Sequence, residues 1–204
     1  PNKYNKIADK IIMIPDYTEL QSKIKVILDN SSLISSKILL SDMAFKDRDF
    51  RASYNLLKNN FQNPNQLLDF AYQNKKIKNY DLAIEIYNDL IRENYNSKTT
   101  ISAILEMADA LEQKSIKSKI ELPISQYFYN NEILSSPYHH VSSDNLKILN
   151  QAILLYDSLY TVSKGSDAGF RLAEIKFSVL NDLDNASKIY KDCIEYSKKR
   201  MIRF

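Results

Sequence analysis

The 204-residue chain has little of what tight turns, cross-links and phosphate-binding loops require. It contains two glycines, five prolines, one cysteine and no tryptophan. So few glycines argue against a β-sandwich or barrel, because the hairpins of those folds need many turn residues. The single cysteine, Cys193, excludes an intramolecular disulfide and a cysteine-rich zinc site. These absences favour an all-α protein.

Long apolar runs and a strongly basic face are also lacking. Residues 11–14 are apolar, but Pro15 follows them, and no stretch approaches the roughly 20 residues that a membrane helix needs. The net charge is +3 and is spread along the chain, whereas nucleic-acid binding needs a denser basic face. We therefore expect a soluble protein with no strong nucleic-acid signal. The start at Pro1 favours a shortened or processed chain and leaves the compartment, cytoplasm or periplasm, open.

The residue clusters that carry out catalysis are equally scarce. His139 and His140 are the only histidines, and no cysteine or third histidine completes a typical zinc site. Gly165 and Gly169 cannot form a phosphate-binding loop. No serine has the glycine-flanked setting of a hydrolase nucleophile, and no pair of carboxylates stands out for acid–base catalysis. The sequence predicts a protein that is not an enzyme, with no cofactor and no metal.

One short phrase occurs three times in the chain. It reads Ala-Ile-Glu-Ile-Tyr from Ala83, Ala-Ile-Leu-Leu-Tyr from Ala152 and Ala-Ser-Lys-Ile-Tyr from Ala186, at separations of 69 and 34 residues. Such a period is typical of arrays of like units that bury their apolar faces against one another. The alanine and the tyrosine four residues later share one helix face, so we expect both to pack in the core. The six residues concerned are Ala83, Tyr87, Ala152, Tyr156, Ala186 and Tyr190.

Apolar residues at helical spacing divide the chain into about ten helices. Asn63 and Pro64 have the residue types of an N-cap and a first helical position, and Gly165 can end a helix. The predicted helices are residues 3–13, a segment carrying Leu20, Ile24 and Ile27, and then residues 33–45, 50–61, 67–77, 80–91, 99–112, 146–160, 167–180 and 183–199.

Residues 115–143 interrupt this pattern. We interpret them as an insertion within one unit, because the period resumes after them. Long irregular segments are often functional, and aromatic residues often anchor interfaces. Tyr127, Phe128 and Tyr129 therefore either contact a partner or pack the insertion against the helices.

Small and aromatic residues recur at the positions that define a helix-turn-helix unit of about 34 residues. They are Leu40, Ser41, Phe50, Ser53 and Leu57; Phe70, Ala71, Tyr80, Ala83 and Tyr87; Leu149, Ala152 and Tyr156; and Leu172, Ala173, Phe177, Leu183, Ala186, Tyr190 and Cys193. This set resembles the tetratricopeptide repeat (TPR) over about residues 32–200. The resemblance implies a right-handed α-solenoid of TPR-like repeats with an irregular insertion in one repeat.

The predicted organisation is one helical-repeat domain, residues 1–204. An N-terminal hairpin at 1–31 precedes two TPR-like units at 32–95, a unit at 98–161 split by the insertion 115–143, and a C-terminal unit at 166–200. The spacing is irregular, because only 30 residues separate Ser53 from Ala83.

The resemblance implies a non-catalytic scaffold that holds a protein or peptide in the groove lined by the first helix of each pair. One subgroup of the family holds the terminal carboxylate of a peptide with lysines and asparagines on these helices, and no comparable set occurs in this sequence. A solvated polar face is the alternative for each candidate. The predicted partner-binding residues are Phe45, Tyr72, Lys75, Lys76, Asp109 and Glu174, with Asp42 and Glu112 on the same face and Tyr127, Phe128 and Tyr129 in the insertion.

The alternative function is RNA binding by a helical-repeat array. It requires basic and stacking residues once per unit. Lys75 and Lys76 have no clear counterparts in the later units, which counts against it.

Overall fold

A computed structural model describes residues 10–11, 18–60, 63–93, 97–116, 141–162 and 167–201. These ranges contain helices and turns and no strand, so the all-α prediction is confirmed for them. The predicted helix at 3–13 lies outside them apart from residues 10 and 11. Most of the insertion 115–143 and Gly165 also lie outside them. No helix in these ranges is long and apolar enough to cross a membrane.

The described ranges form nine helices, where the sequence predicted about ten. Most bounds agree with the prediction within three residues, and the helices before and after the insertion are each longer than predicted. The helices are α1 (Thr18–Asp29), α2 (Ile34–Lys46), α3 (Phe50–Asn60), α4 (Pro64–Lys76), α5 (Tyr80–Glu93), α6 (Ser97–Ser115), α7 (Ser143–Val162), α8 (Asp167–Ser178) and α9 (Leu183–Met201).

Three corners between helices use residues other than glycine with positive φ. Arg48 between α2 and α3 has φ 62°, Lys78 between α4 and α5 has φ 64°, and Asn181 between α8 and α9 has φ 52°. A non-glycine residue pays about 1–2 kcal/mol for this left-handed conformation. Because the chain has only two glycines, these three corners use residues that the surrounding structure must hold in this conformation.

Side-chain caps fix where the helices begin. The predicted Asn63 cap is confirmed: Asn63 Oδ1 accepts a hydrogen bond from the backbone N–H of Asn65 at 3.1 Å, and α4 begins at Pro64. Asp49 Oδ1 likewise accepts the N–H of Ala52 at 3.0 Å and caps α3. Each cap satisfies a backbone donor that has no partner within its helix.

The packing divides the chain into two compact units, Pro1–Asn74 and Lys75–Phe204. In the first unit α1 packs on α2 and α2 packs on α3. Its core includes Leu39 and Met43 of α2 and Tyr54 of α3.

In the second unit, each helix from α5 to α9 packs on the next along the chain. Its largest group of buried side chains joins α6, α7, α8 and α9, and includes Leu111, Leu149, Leu172 and Ile189. Contact between successive helices is the arrangement expected when no helix hairpin can bury its apolar face alone.

The prediction of core packing for the repeated phrase is confirmed. Five of its six alanine and tyrosine residues are buried: Ala83, Tyr87, Ala152, Tyr156 and Ala186. The sixth, Tyr190, is partly buried against the same core, and its ring meets Phe170 edge-to-face at 5.1 Å.

Candidate functional site

A groove of about 440 Å³ opens between α2 and α4 in the Pro1–Asn74 unit. Helix α2 contributes Ile38, Asp42 and Phe45, whose spacing of four and three residues places them on one face. The volume is in the range of cavities that hold a small ligand or a few peptide side chains. The remaining lining residues are Lys46 of α2, Leu57 of α3, and Gln66, Asp69, Phe70 and Gln73 of α4.

Aromatic side chains form the floor of this groove. The ring of Phe45 meets Phe50 edge-to-face at 5.1 Å and Phe70 at 5.5 Å, and Phe70 stacks on Tyr54 at 6.4 Å. Each such pair contributes about 0.5–1.5 kcal/mol beyond the burial of its area. Phe70 and Leu57 are buried, whereas Phe45 is half-buried. The floor is therefore held in place by the core of the unit.

The rim of the groove is polar and carries more acid than base. Asp42, Asp69, Gln66 and Gln73 are all exposed, and Lys46 is the one cation among the described lining residues. Within the described residues, no hydrogen bond or ion pair engages the Asp42 carboxylate. Partial loss of hydration at the groove mouth raises the pKa of Asp42 above its ordinary value. The groove thus combines an apolar floor with a carboxylate that has no partner in the described part of the chain.

A charged cluster in the Lys75–Phe204 unit centres on Lys75. The Lys75 Nζ binds the carboxylates of Glu106 and Asp109, both on α6. Its side chain is 8% exposed, while the two carboxylates keep about a quarter to a third of their exposure. Burial lowers the pKa of Lys75, but the hydrogen bonds to Asp109 and Glu106 and the negative charges of these carboxylates together outweigh burial and raise it. Its charge, which the RNA-binding alternative requires for phosphate, is therefore neutralised within the protein.

A second charged cluster in this unit centres on Glu112 of α6, which is 5% exposed. Its carboxylate accepts a hydrogen bond from the hydroxyl of Tyr156 of α7 at 2.9 Å and one from the guanidinium of Arg171 of α8 at 2.5 Å. Arg171 also binds Glu174 at 2.6 Å. Burial raises the pKa of Glu112, although Arg171 and Tyr156 both act to lower it. The cluster joins three helices, and the cavity beside it is only about 80 Å³.

Among the described residues, the predicted partner-binding residues do not lie together at one site. Phe45 lines the groove, and Tyr72 is 40% exposed on α4. Lys76 is exposed near the end of the same helix. Lys75, Asp109 and Glu174 form the ion pairs described above, and Tyr127, Phe128 and Tyr129 lie outside the described residues.

Most of the α4 wall of the groove was not predicted from the sequence. Gln66, Asp69, Phe70 and Gln73 have the spacing of one helix face, and this signal was present in the sequence. They were overlooked because Phe70 was assigned to the core alone. In the structure Phe70 is both a buried core residue and part of the groove floor.

The described residues contain no group of three or more histidine, cysteine, aspartate or glutamate side chains placed to hold a metal ion. Comparisons of the chain with protein-family models, with curated proteins and with solved structures gave no match.

Proposed function

We propose that this protein is a non-catalytic scaffold of TPR type that binds a peptide segment of a partner protein. The observation that carries the proposal is the groove between α2 and α4, lined by the first helices of two successive helix pairs. A scaffold of this kind contributes a surface of fixed shape. The partner then binds without the cost of ordering the site.

The construction of the groove supports the proposal. The ring of Phe45 packs against both Phe50 and Phe70. The floor of the groove is therefore preorganised and forms without a bound partner. The exposed amides of Gln66 and Gln73 add hydrogen-bonding groups along the α4 wall that can bind a peptide backbone. An apolar floor with a few polar groups is typical of binding sites.

We further propose that the helix pairs are repeats of a right-handed TPR-like solenoid. The packing of successive helices from α1 to α3 and from α5 to α9 and the confirmed burial of the repeated alanines and tyrosines support it. Tyr72, Lys76 and residues 127–129 are proposed as further partner contacts.

The test is selection from a displayed library of random peptides on the full chain and on two variants. Gln73→Trp places a large ring at the exposed α4 wall of the groove. Gln151→Trp makes the same change at an exposed position of α7 and is the matched control. We expect enriched peptides on the wild type and on Gln151→Trp, and their loss on Gln73→Trp. Equal enrichment on all three proteins, or none on the wild type, would contradict the proposal.

A further inference from the structure

We infer that the groove between α2 and α4 selects peptides that present a lysine or arginine beside a large apolar side chain, and that Asp42 determines this specificity. The inference rests on the proposed function and names the chemistry of the partner. It follows from the positions of the carboxylates and of the aromatic floor.

A carboxylate for the cation and an aromatic ring for the apolar side chain lie within one turn of α2. Asp42 and Phe45 are three residues apart on the same helix face, which corresponds to a rise of about 4.5 Å along the axis. The ring of Phe45 contacts Phe70, and together with Leu57 these side chains line the floor of the groove. A peptide that places an apolar side chain on this floor therefore carries its neighbouring side chain to the Asp42 carboxylate.

The charge of the rim favours a cation as that neighbour. Asp42 and Asp69 outnumber Lys46 among the described lining residues. Asp42 has lost part of its hydration and forms no ion pair with another described residue. A lysine or arginine would restore a partner through charge-assisted hydrogen bonds, whereas an acidic side chain or a peptide carboxylate would meet two negative charges.

The same random-peptide library tests this inference with Asp42→Lys and Asp42→Asn. Asp157→Lys, on the exposed surface of α7, makes the same change in net charge away from the groove. We expect peptides selected on the wild type and on Asp157→Lys to share a cation beside a large apolar residue. We expect Asp42→Asn to bind those peptides about tenfold more weakly and Asp42→Lys to select acidic residues in place of the cation.

The possible outcomes separate the inference from the function on which it rests. If peptides are selected at the groove, as judged by their loss on Gln73→Trp, but show no preference for a cation, the specificity is wrong and the scaffold function stands. If a cation preference persists unchanged in Asp42→Lys, Asp42 does not determine it and the inference is overturned. If no peptide is selected on the wild type, both fail together.

Discussion

The hydroxyls of Ser41 on α2 and Ser53 on α3 lie 2.8 Å apart, and each hydroxyl is also within hydrogen-bond distance, 2.8–3.0 Å, of the backbone carbonyl of the other residue. Both residues are buried. This reciprocal contact requires small side chains, because the two helix backbones approach closely at this point. It lies on the face of α2 that packs on α3, next to the face that lines the groove.

A larger residue at this contact should separate the two helices. Ser53→Leu is expected to lower the free energy of unfolding by about 1–3 kcal/mol through overpacking and loss of the hydroxyl partner. Urea denaturation followed by circular dichroism measures it. Ser187→Leu, at an exposed position of α9, is the control and should change stability by less than about 0.5 kcal/mol. Equal effects of the two substitutions would show that the Ser41–Ser53 contact is not tightly packed.

Removal of the arginine that pairs with Glu112 should be costly. Arg171→Leu leaves the 5%-exposed Glu112 with Tyr156 as its remaining donor among the described residues, so we expect a loss of about 1–3 kcal/mol. The loss should shrink in a Glu112→Gln background, because a neutral amide needs no cation. A double-mutant cycle in urea measures this coupling, and additive effects would contradict a direct pairing.

The ion-pair cluster centred on Lys75 should contribute less to the free energy of unfolding than the cluster centred on Glu112. Lys75→Met removes the cation shared by Glu106 and Asp109. Gln113 still donates to Asp109 at 2.8 Å, both carboxylates keep access to water, and the methionine stem fills similar space. We expect Lys75→Met to lower the free energy of unfolding by less than about 1 kcal/mol, below the effect of Arg171→Leu. A larger loss of unfolding free energy for Lys75→Met than for Arg171→Leu in the same urea experiment would contradict this prediction. It would show that the burial of Lys75 matters more than the water access of its two carboxylates.

The buried Glu112 also predicts a dependence of stability on pH. Its pKa is raised above the ordinary value of 4.5, so the folded state holds the proton more tightly than the unfolded state. The stabilising contribution is therefore complete below pH 4.5 and is lost as the pH rises through the folded-state pKa. We therefore expect the difference in unfolding free energy between the wild type and Glu112→Gln (wild type minus variant) to fall as the pH rises from 4.5 through the folded-state pKa of Glu112. A difference that stays constant or rises would show that Arg171 and Tyr156 outweigh burial.

The sequence predicted the local features of the fold well, because they depend on neighbouring residues. The Asn63–Pro64 start of α4 and the buried alanines and tyrosines of the repeated phrase follow from capping chemistry and helical spacing. The long-range contacts could not be read in this way. Glu112 and Arg171 are 59 residues apart, and neither spacing nor composition indicates that they meet.

In the groove, too, the local features were predictable from the sequence and the long-range contacts were not. Phe45 was predicted from its place on a first helix, and its partner Phe70 was predicted only as a core residue. Whether a side chain is buried or lines an open groove depends on the separation of α2 and α4. That separation follows from the Phe45–Phe70 contact and from the packing around Tyr54.

The most direct test of the account is the dissociation constant of a library-selected peptide for the wild type, Gln73→Trp and Gln151→Trp, measured by fluorescence anisotropy. If the groove between α2 and α4 holds the peptide, Gln73→Trp weakens binding by about tenfold or more and Gln151→Trp leaves it unchanged. Equal affinity for all three proteins, with folding intact by circular dichroism, would place the peptide elsewhere and contradict the account.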